Sequence, residues 1–185
     1  MGDWRAILCR NGVAKRLTFD HSLEVKNNPI RDDELDRIER SGGKVIQSND
    51  ELRIQGGDIS INMTRALGDV EMKKYGISPL PSSMEDLPCN DPAYARIRRI
   101  SHSRDAFLTI FTDGVSSVLS AKEIVRTINS RATSGESVRY LNETALHLGS
   151  QDNCTAIVVP LGAWGKYREP SSSVRYTRTF IGNRG

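Results

Sequence analysis

Cysteine is scarce in this chain, with three among 185 residues. Cys9, Cys89 and Cys154 are far apart and odd in number, which excludes a disulfide framework and a zinc-ligand pattern. A reducing compartment is therefore the default expectation. Long apolar runs are missing too: none approaches the roughly 20 residues that a bilayer-spanning helix requires. The N-terminus has neither the apolar core of a signal peptide nor an Arg- and Ser-rich amphipathic stretch. Ala6 breaks the myristoylation pattern that Gly2 opens. Charge of one sign is lacking as well: 26 basic residues against 23 acidic give a net +3, too little to argue for nucleic acid. What excess there is sits in the tail, where Lys166, Arg168, Arg175, Arg178 and Arg184 face Glu169 alone. There is no internal repeat, no Gly-rich phosphate loop and no nucleophile elbow.

What is present fits one globular domain or a piece of one, with 37% hydrophobic and 26% charged residues, 15 Gly and 7 Pro. Trp4 to Arg10 reads as a strand, Asn11-Gly12 as a type I′ hairpin turn, and Val13 to Phe19 as the returning strand. Asn28-Pro29 and the acidic run Asp32-Asp33-Glu34 open a helix that Gly42-Gly43 stop. Lys44 to Met63 breaks into short strand-like pieces around Gly56-Gly57. Tyr75 to Asn90 carries three prolines and three serines and reads as a surface insertion. Ala106 to Thr112 is a continuous apolar run of the kind a buried strand shows. Ser120 and Glu123 form a capping box. Val138, Leu141, Ala145 and Leu148 line one face of a second helix. Cys154 to Leu161 reads as another buried strand, and Val174 to Ile181 is strand-like. Strands and helices mix without strict βαβ alternation, so an antiparallel sheet covered by helices is expected.

Three aspartates stand at strand ends. Asp113 follows one apolar strand, Asp152 precedes another, and Asp3 opens a third. If the first two strands run antiparallel, both carboxylates reach one end of the sheet. Clustered carboxylates are hard oxygen ligands that suit Mg²⁺ or Mn²⁺. Asp-Gly and Asp-Asn after a strand are also ordinary turn residues, and spacing alone leaves both readings open. His21 reads as a loop or capping residue. His102 and His147 lack metal-ligand spacing. Arg65 suits either a phosphate or a structural salt bridge.

Five segments together resemble one family. Gly2-Asp3-Trp4-Arg5-Ala6-Ile7-Leu8 resembles the G-D-S-R-A-x-L strand of the metal-dependent serine/threonine protein phosphatases of type 2C. Asp33 to Gly43 is similar to their E-x-x-R-I-x-x-x-G-G element, and Met63 to Asp69 to their S-R-A-x-G-D. Phe107 to Gly114 resembles the strand ending in the metal-binding D-G, and Gly149 to Val159 the closing G-S-x-D-N-x-T-x-I-x-V.

The resemblance implies an α+β fold, an α-β-β-α sandwich of two antiparallel sheets flanked by helices. Residues 1–161 would be the C-terminal part of its catalytic domain, with a flap-like segment and insertion over 42–90, and 162–185 a C-terminal extension. It implies that Asp113 and Asp152 bind one ion of a two-metal Mg²⁺ or Mn²⁺ centre, with Asp3 joining Asp113 at a third site. Gly114, Asn153, Arg65 and Asp69 would be supporting or substrate-side residues. A phosphoprotein is the implied substrate. Val159 to Tyr167 resembles the ending of a mitochondrial subfamily, which implies a matrix location and a branched-chain 2-oxoacid dehydrogenase complex as partner; a cytoplasmic location is the alternative.

The departures are specific. The family's serine is Trp4, and its D-G-x-W-D is Asp113-Gly-Val-Ser-Ser117. No D-G-H is found, so no catalytic acid is assigned within this chain. The family's upstream half is expected to precede Met1. A non-catalytic phosphatase-like binding or regulatory module is the competing expectation.

Overall fold

The computed structural model describes residues 2–23, 31–48, 51–80 and 99–168. In chain order its elements are β1 (Arg5–Arg10), β2 (Val13–Arg16), α1 (Arg31–Arg40), β3 (Lys44–Ser48), β4 (Glu51–Gly56), β5 (Ile59–Ile61), a 3-10 helix (Val70–Tyr75), β6 (Asp105–Phe111), α2 (Asp113–Ser116), α3 (Ala121–Asn129), α4 (Ser134–His147) and β7 (Ala156–Pro160). The fold class is the expected one: α+β, with two antiparallel sheets and flanking helices. The contacts divide the chain into two units, Met1–Trp4 with Phe19–Ile97 and Arg5–Thr18 with Arg98–Gly185.

The second unit is built on a four-stranded sheet of order β2-β1-β6-β7. Asn11 and Gly12 take φ of 54° and 75°, the paired positive values of a type I′ turn. β1 runs antiparallel to β6 from Arg5 opposite Phe111 to Cys9 opposite Phe107. β6 runs antiparallel to β7 from Phe107 opposite Pro160 to Phe111 opposite Ala156. Alternate residues face the core. Ile7, Cys9, Phe107, Phe111 and Val158 pack with Ile124, Val125, Ile128, Leu141 and Ala145 of α3 and α4. The capping box at Ser120 and Glu123 forms as expected. A second one, Thr133 with Glu136, starts α4.

Two strand expectations are corrected. The strand expected to return to Phe19 ends at Arg16, because the Thr18 hydroxyl takes over the ladder and accepts from the Ala6 N–H at 2.9 Å. The strand expected to be buried from Cys154 to Leu161 is the shorter β7, and it alternates. It stands at the end of the four-strand order, so Val158 is buried while Ile157 and Val159 are 51% and 43% exposed. Beyond β7, Ala163 is buried and Trp164 packs edge-on against Phe107 with ring centroids 5.8 Å apart. Trp164 Nε1 donates to Ala132 O and Lys166 Nζ to Ser103 O. The strand-like stretch Val174 to Ile181 lies outside the described residues.

The first unit carries the antiparallel sheet β3-β4-β5 and α1. The acidic first turn of α1 complements its dipole, and Gly42 at φ 80° follows the helix end. Asn28-Pro29 lies outside the described residues. Ile38, Ile54, Leu23, Ala66, Met72 and Ile77 form the core. The start of the expected surface insertion turns inward: Tyr75 packs on this core and Ile77 is 1% exposed, while Pro79 and Leu80 are exposed. Residues 81–90 of that expectation lie outside the described residues.

Glu34 is the buried charge of this unit, 2% exposed. It accepts from Arg37 at 2.8 and 2.7 Å and from Arg65 Nε at 2.7 Å. Burial alone would push its carboxyl up; the hydrogen bonds of Arg37, Arg65 and Thr64 outweigh burial and hold it at about 2, below the ordinary 4.5. A carboxyl lowered on folding adds stability above its unfolded value, and that stability is lost as pH falls toward the folded value. Over the window from 4.5 to about 2 this is worth about 3 kcal/mol. Glu34→Gln is expected to lower unfolding free energy at pH 7 by about 3–5 kcal/mol, because the buried Arg65 guanidinium and the half-buried Arg37 guanidinium lose their counter-charge. Urea unfolding between pH 7 and 2.5 checks this: the gap between wild type and variant narrows only below pH 4.5. A gap that does not change with pH rules out the ionised carboxylate as its source.

Candidate metal centre

The antiparallel pairing of β6 with β7 does what the spacing requires. Phe111, the last residue of β6, stands opposite Ala156, the first of β7. The chain leaving β6 and the chain entering β7 therefore meet at one sheet end, and those two stretches carry Asp113 and Asp152.

Their approach is close. A Cβ built on Gly114 would lie 2.5 Å from the Asn153 carbonyl oxygen and 3.3 Å from the Asp152 carbonyl carbon. Only a residue without a side chain lets the two backbones meet there. Hydrogen bonds fasten the contact. Thr112 N–H donates to Thr155 O at 3.0 Å. The Thr112 hydroxyl donates to Asn153 O at 3.0 Å and accepts from the Thr155 N–H at 3.0 Å. Ser150 Oγ donates to Gly114 O at 2.7 Å. Ser117, where the resemblance has an aspartate, donates to the same carbonyl at 3.2 Å.

Each aspartate orders its own turn. Asp113 Oδ1 accepts from the Gly114 N–H at 2.9 Å, and Asp152 Oδ1 accepts from the Asn153 N–H at 2.7 Å. Asp113 is half-buried and Asp152 exposed. Among the described residues neither has a salt bridge to lysine or arginine. Turn geometry and an ion-holding role are therefore compatible: one oxygen of each carboxylate serves the turn while the other stays open to a cation.

The donor set fits a hard divalent ion in kind, because both donors are carboxylate oxygens. It is small in number. Among the described residues no group of three His, Cys, Asp or Glu side chains could hold a metal ion. Asp3 falls in the first unit, Asp113 and Asp152 in the second.

The remaining candidates divide cleanly. Arg65 is 4% exposed; besides Glu34, its Nη1 donates to Leu80 O at 2.9 Å. The salt-bridge reading of Arg65 is the one realised. Asp69 is exposed and left-handed at φ 46°, preceding the 3-10 helix. His21 is 8% exposed, and its Nδ1 lies 3.2 Å from Gly2 O, a contact that places the ring proton on Nδ1. Burial, its largest influence, lowers its pKa. Its carbonyl accepts from both the N–H and the hydroxyl of Thr64, so it is a structural residue, as the loop reading anticipates. The Glu34 pairing with Arg65 and the stitching roles of Thr112 and Ser150 are absent from the sequence reading. The arginine and the glycine were visible there, but their partners are distant in sequence.

Residues 1–154 match the family described as Protein phosphatase 2C. The chain is 35% identical over 181 residues to "Protein phosphatase 1K, mitochondrial" of Xenopus laevis, covering 97% of this chain and 43% of that protein. It is 32% identical to "Protein phosphatase 1B" of Rattus norvegicus, covering 85% of this chain and 37% of that protein. Among solved structures, a serine-threonine phosphatase 2C from Toxoplasma gondii shares the fold with a TM-score of 0.66 at 24% identity, over 87% of this chain and 52% of that one. A C. elegans sex determining protein gives a TM-score of 0.63 at 24% identity, over 89% and 36%. The chain thus spans less than half the length of each of these two curated relatives.

Gly114→Ala tests the interlock directly. The added methyl has to displace the Asn153 carbonyl, at a cost of about 1–3 kcal/mol. Chemical unfolding of the variant is expected to show that loss, and a variant as stable as wild type would mean the two turns do not meet at this point.

Proposed function

The chain belongs to the protein phosphatase 2C family, and on that premise we propose that the native protein is a divalent-metal-dependent hydrolase of phosphoserine and phosphothreonine in proteins. The observation that carries the proposal is the interlock of Asp113-Gly114 with Asp152-Asn153, which brings two hard oxygen donors to one sheet end. Asp113 and Asp152 would hold one ion of a two-metal Mg²⁺ or Mn²⁺ centre, with Asp3 a donor to a further, weaker site.

Bound ions of this kind supply the positive charge that acidifies water and offsets charge on the phosphoryl oxygens. This chain's share is positional: Asp113 and Asp152 would be the donors, and the stitched turns would keep them from drifting apart. In the overall reaction a water oxygen forms the new bond to phosphorus. The bond from phosphorus to the serine or threonine oxygen breaks, and that oxygen leaves as the alcohol after taking a proton. No residue of this chain is assigned as the proton donor.

Similarity over 97% of the chain to a protein named mitochondrial supports a mitochondrial location, and we carry forward a branched-chain 2-oxoacid dehydrogenase complex as the proposed substrate. The segment 42–90 is the proposed flap where substrate choice is made, with Asp69 on the substrate side. No helix among the described residues is long and apolar enough to cross a membrane. The docking-module alternative is set aside, because the curated relatives are phosphatases by name.

Phosphate release from a phosphothreonine peptide by the native protein tests this. Chelation with EDTA is expected to abolish turnover, and added Mn²⁺ to restore it. Asp113→Asn and Asp152→Asn are each expected to lower kcat/KM at least about 100-fold, the scale of losing several kcal/mol of charge stabilisation. Turnover that survives both substitutions within tenfold removes the two aspartates from the reaction.

A further inference from the structure

Thr112 occupies the N-cap position of α2 with extended backbone angles, φ −79° and ψ 167°, yet its side chain makes no capping hydrogen bond. A threonine at that position ordinarily gives its oxygen to the second or third N–H of its own helix. Here the hydroxyl reaches across the chain instead. It donates to Asn153 O and accepts from the Thr155 N–H, using both its hydrogen and a lone pair on the turn that carries Asp152. Ser150 makes the reciprocal link, from the Asp152 turn back to Gly114 O. The Asp113 turn and the Asp152 turn are therefore cross-linked in both directions, immediately beside the two carboxylates.

We propose that Thr112 and Ser150 are positioning residues that fix the spacing of the Asp113 and Asp152 carboxylates and so set the affinity of the site for a divalent ion. The inference rests on the metal role proposed above for those two aspartates. The physical reason is that two carboxylates repel each other, and an ion binds both more tightly where something else already holds them together. Partners that orient ligands typically account for 10- to 100-fold in metal affinity. Two bonds at the Thr112 hydroxyl and one from Ser150 supply that hold without adding charge.

The test uses the native protein and Mn²⁺ alone, with binding followed by titration calorimetry and by loss of the free-ion electron spin resonance signal. Thr112→Val, which keeps the shape and removes the hydroxyl, is expected to weaken Mn²⁺ binding about tenfold or more. Thr112→Ser, which restores the hydroxyl, is expected to return it to within about threefold of wild type. Ser150→Ala shifts affinity in the same direction and carries the test if Thr112→Val does not fold. Melting in EDTA separates a merely structural role, which lowers the melting temperature of the variant without changing the affinity of the folded protein. Wild-type affinity in both Thr112→Val and Ser150→Ala, beside loss of binding in Asp113→Asn, overturns the positioning proposal and leaves the metal role standing. Unchanged binding in Asp113→Asn overturns the metal role, and this inference with it.

Discussion

Antiparallel pairing of β6 with β7 is the constraint on which the site depends. A strand delivers its last residue to one end of a sheet, and an antiparallel neighbour begins at that same end. Phe111 opposite Ala156 therefore puts two stretches far apart in sequence side by side, with no need for either loop to be long. A parallel arrangement of the same two strands would place Asp113 and Asp152 at opposite ends. The backbone contact at Gly114 then brings the turns as close as two main chains allow. Each feature of the proposed centre follows from that register.

Four carboxylates among the described residues divide into two kinds, and the difference is physical. Glu34 and Asp105 are shut away from water at 2% and 0% exposure, where an ionised carboxylate is costly unless it is paired and hydrogen-bonded. Each has arginine. Glu34 has Arg37 and Arg65. Asp105 has Arg10 at 2.6 and 2.9 Å and the Ser101 N–H at 2.7 Å, and the Arg10 guanidinium holds its carboxyl below the usual carboxylate range. Asp113 and Asp152 sit closer to water and bond only the N–H of the next residue among the described hydrogen bonds. A carboxylate saturated by a guanidinium has no free lone pair for an ion. The arginines thus mark two acids that hold the fold, and Asp113 and Asp152 have no such partner among the described residues.

The parts legible in the sequence were those fixed by local chemistry. The Asn11-Gly12 turn, the Ser120 capping box, the apolar run of β6 and the glycine after α1 each depend on residues within a few positions of one another, so short-range rules reach them. The five family-like segments were legible for another reason: a motif in order constrains the fold even where no single motif does. What the sequence did not reveal depends on distance. Thr18 closing the β1 ladder, Tyr75 and Ile77 turning inward, and the exposed alternation of β7 are outcomes of tertiary position. The site was legible as aspartates and a glycine, but the stitch through Thr112 and Ser150 was not. A hydroxyl in sequence gives no sign of whether it caps its own helix or fastens a turn 41 residues away.

Donor count decides how the centre is shared within the fold. A magnesium-like ion takes about six oxygen ligands in octahedral geometry and retains several waters. Asp113 and Asp152 can give one oxygen each without abandoning the turns they order. No third acidic, histidine or cysteine side chain joins them among the described residues, so in the proposed centre the other positions would fall to water and to groups beyond this pair. A two-donor half-site binds weakly when its donors are free to separate, because the ion must supply the ordering that the protein has not. It binds usefully when the ordering is already in place. The reciprocal hydroxyl links and the side-chain-free contact at Gly114 would put it in place before the proposed ion arrives, which gives the smallest residues at this sheet end a role beside the charged ones.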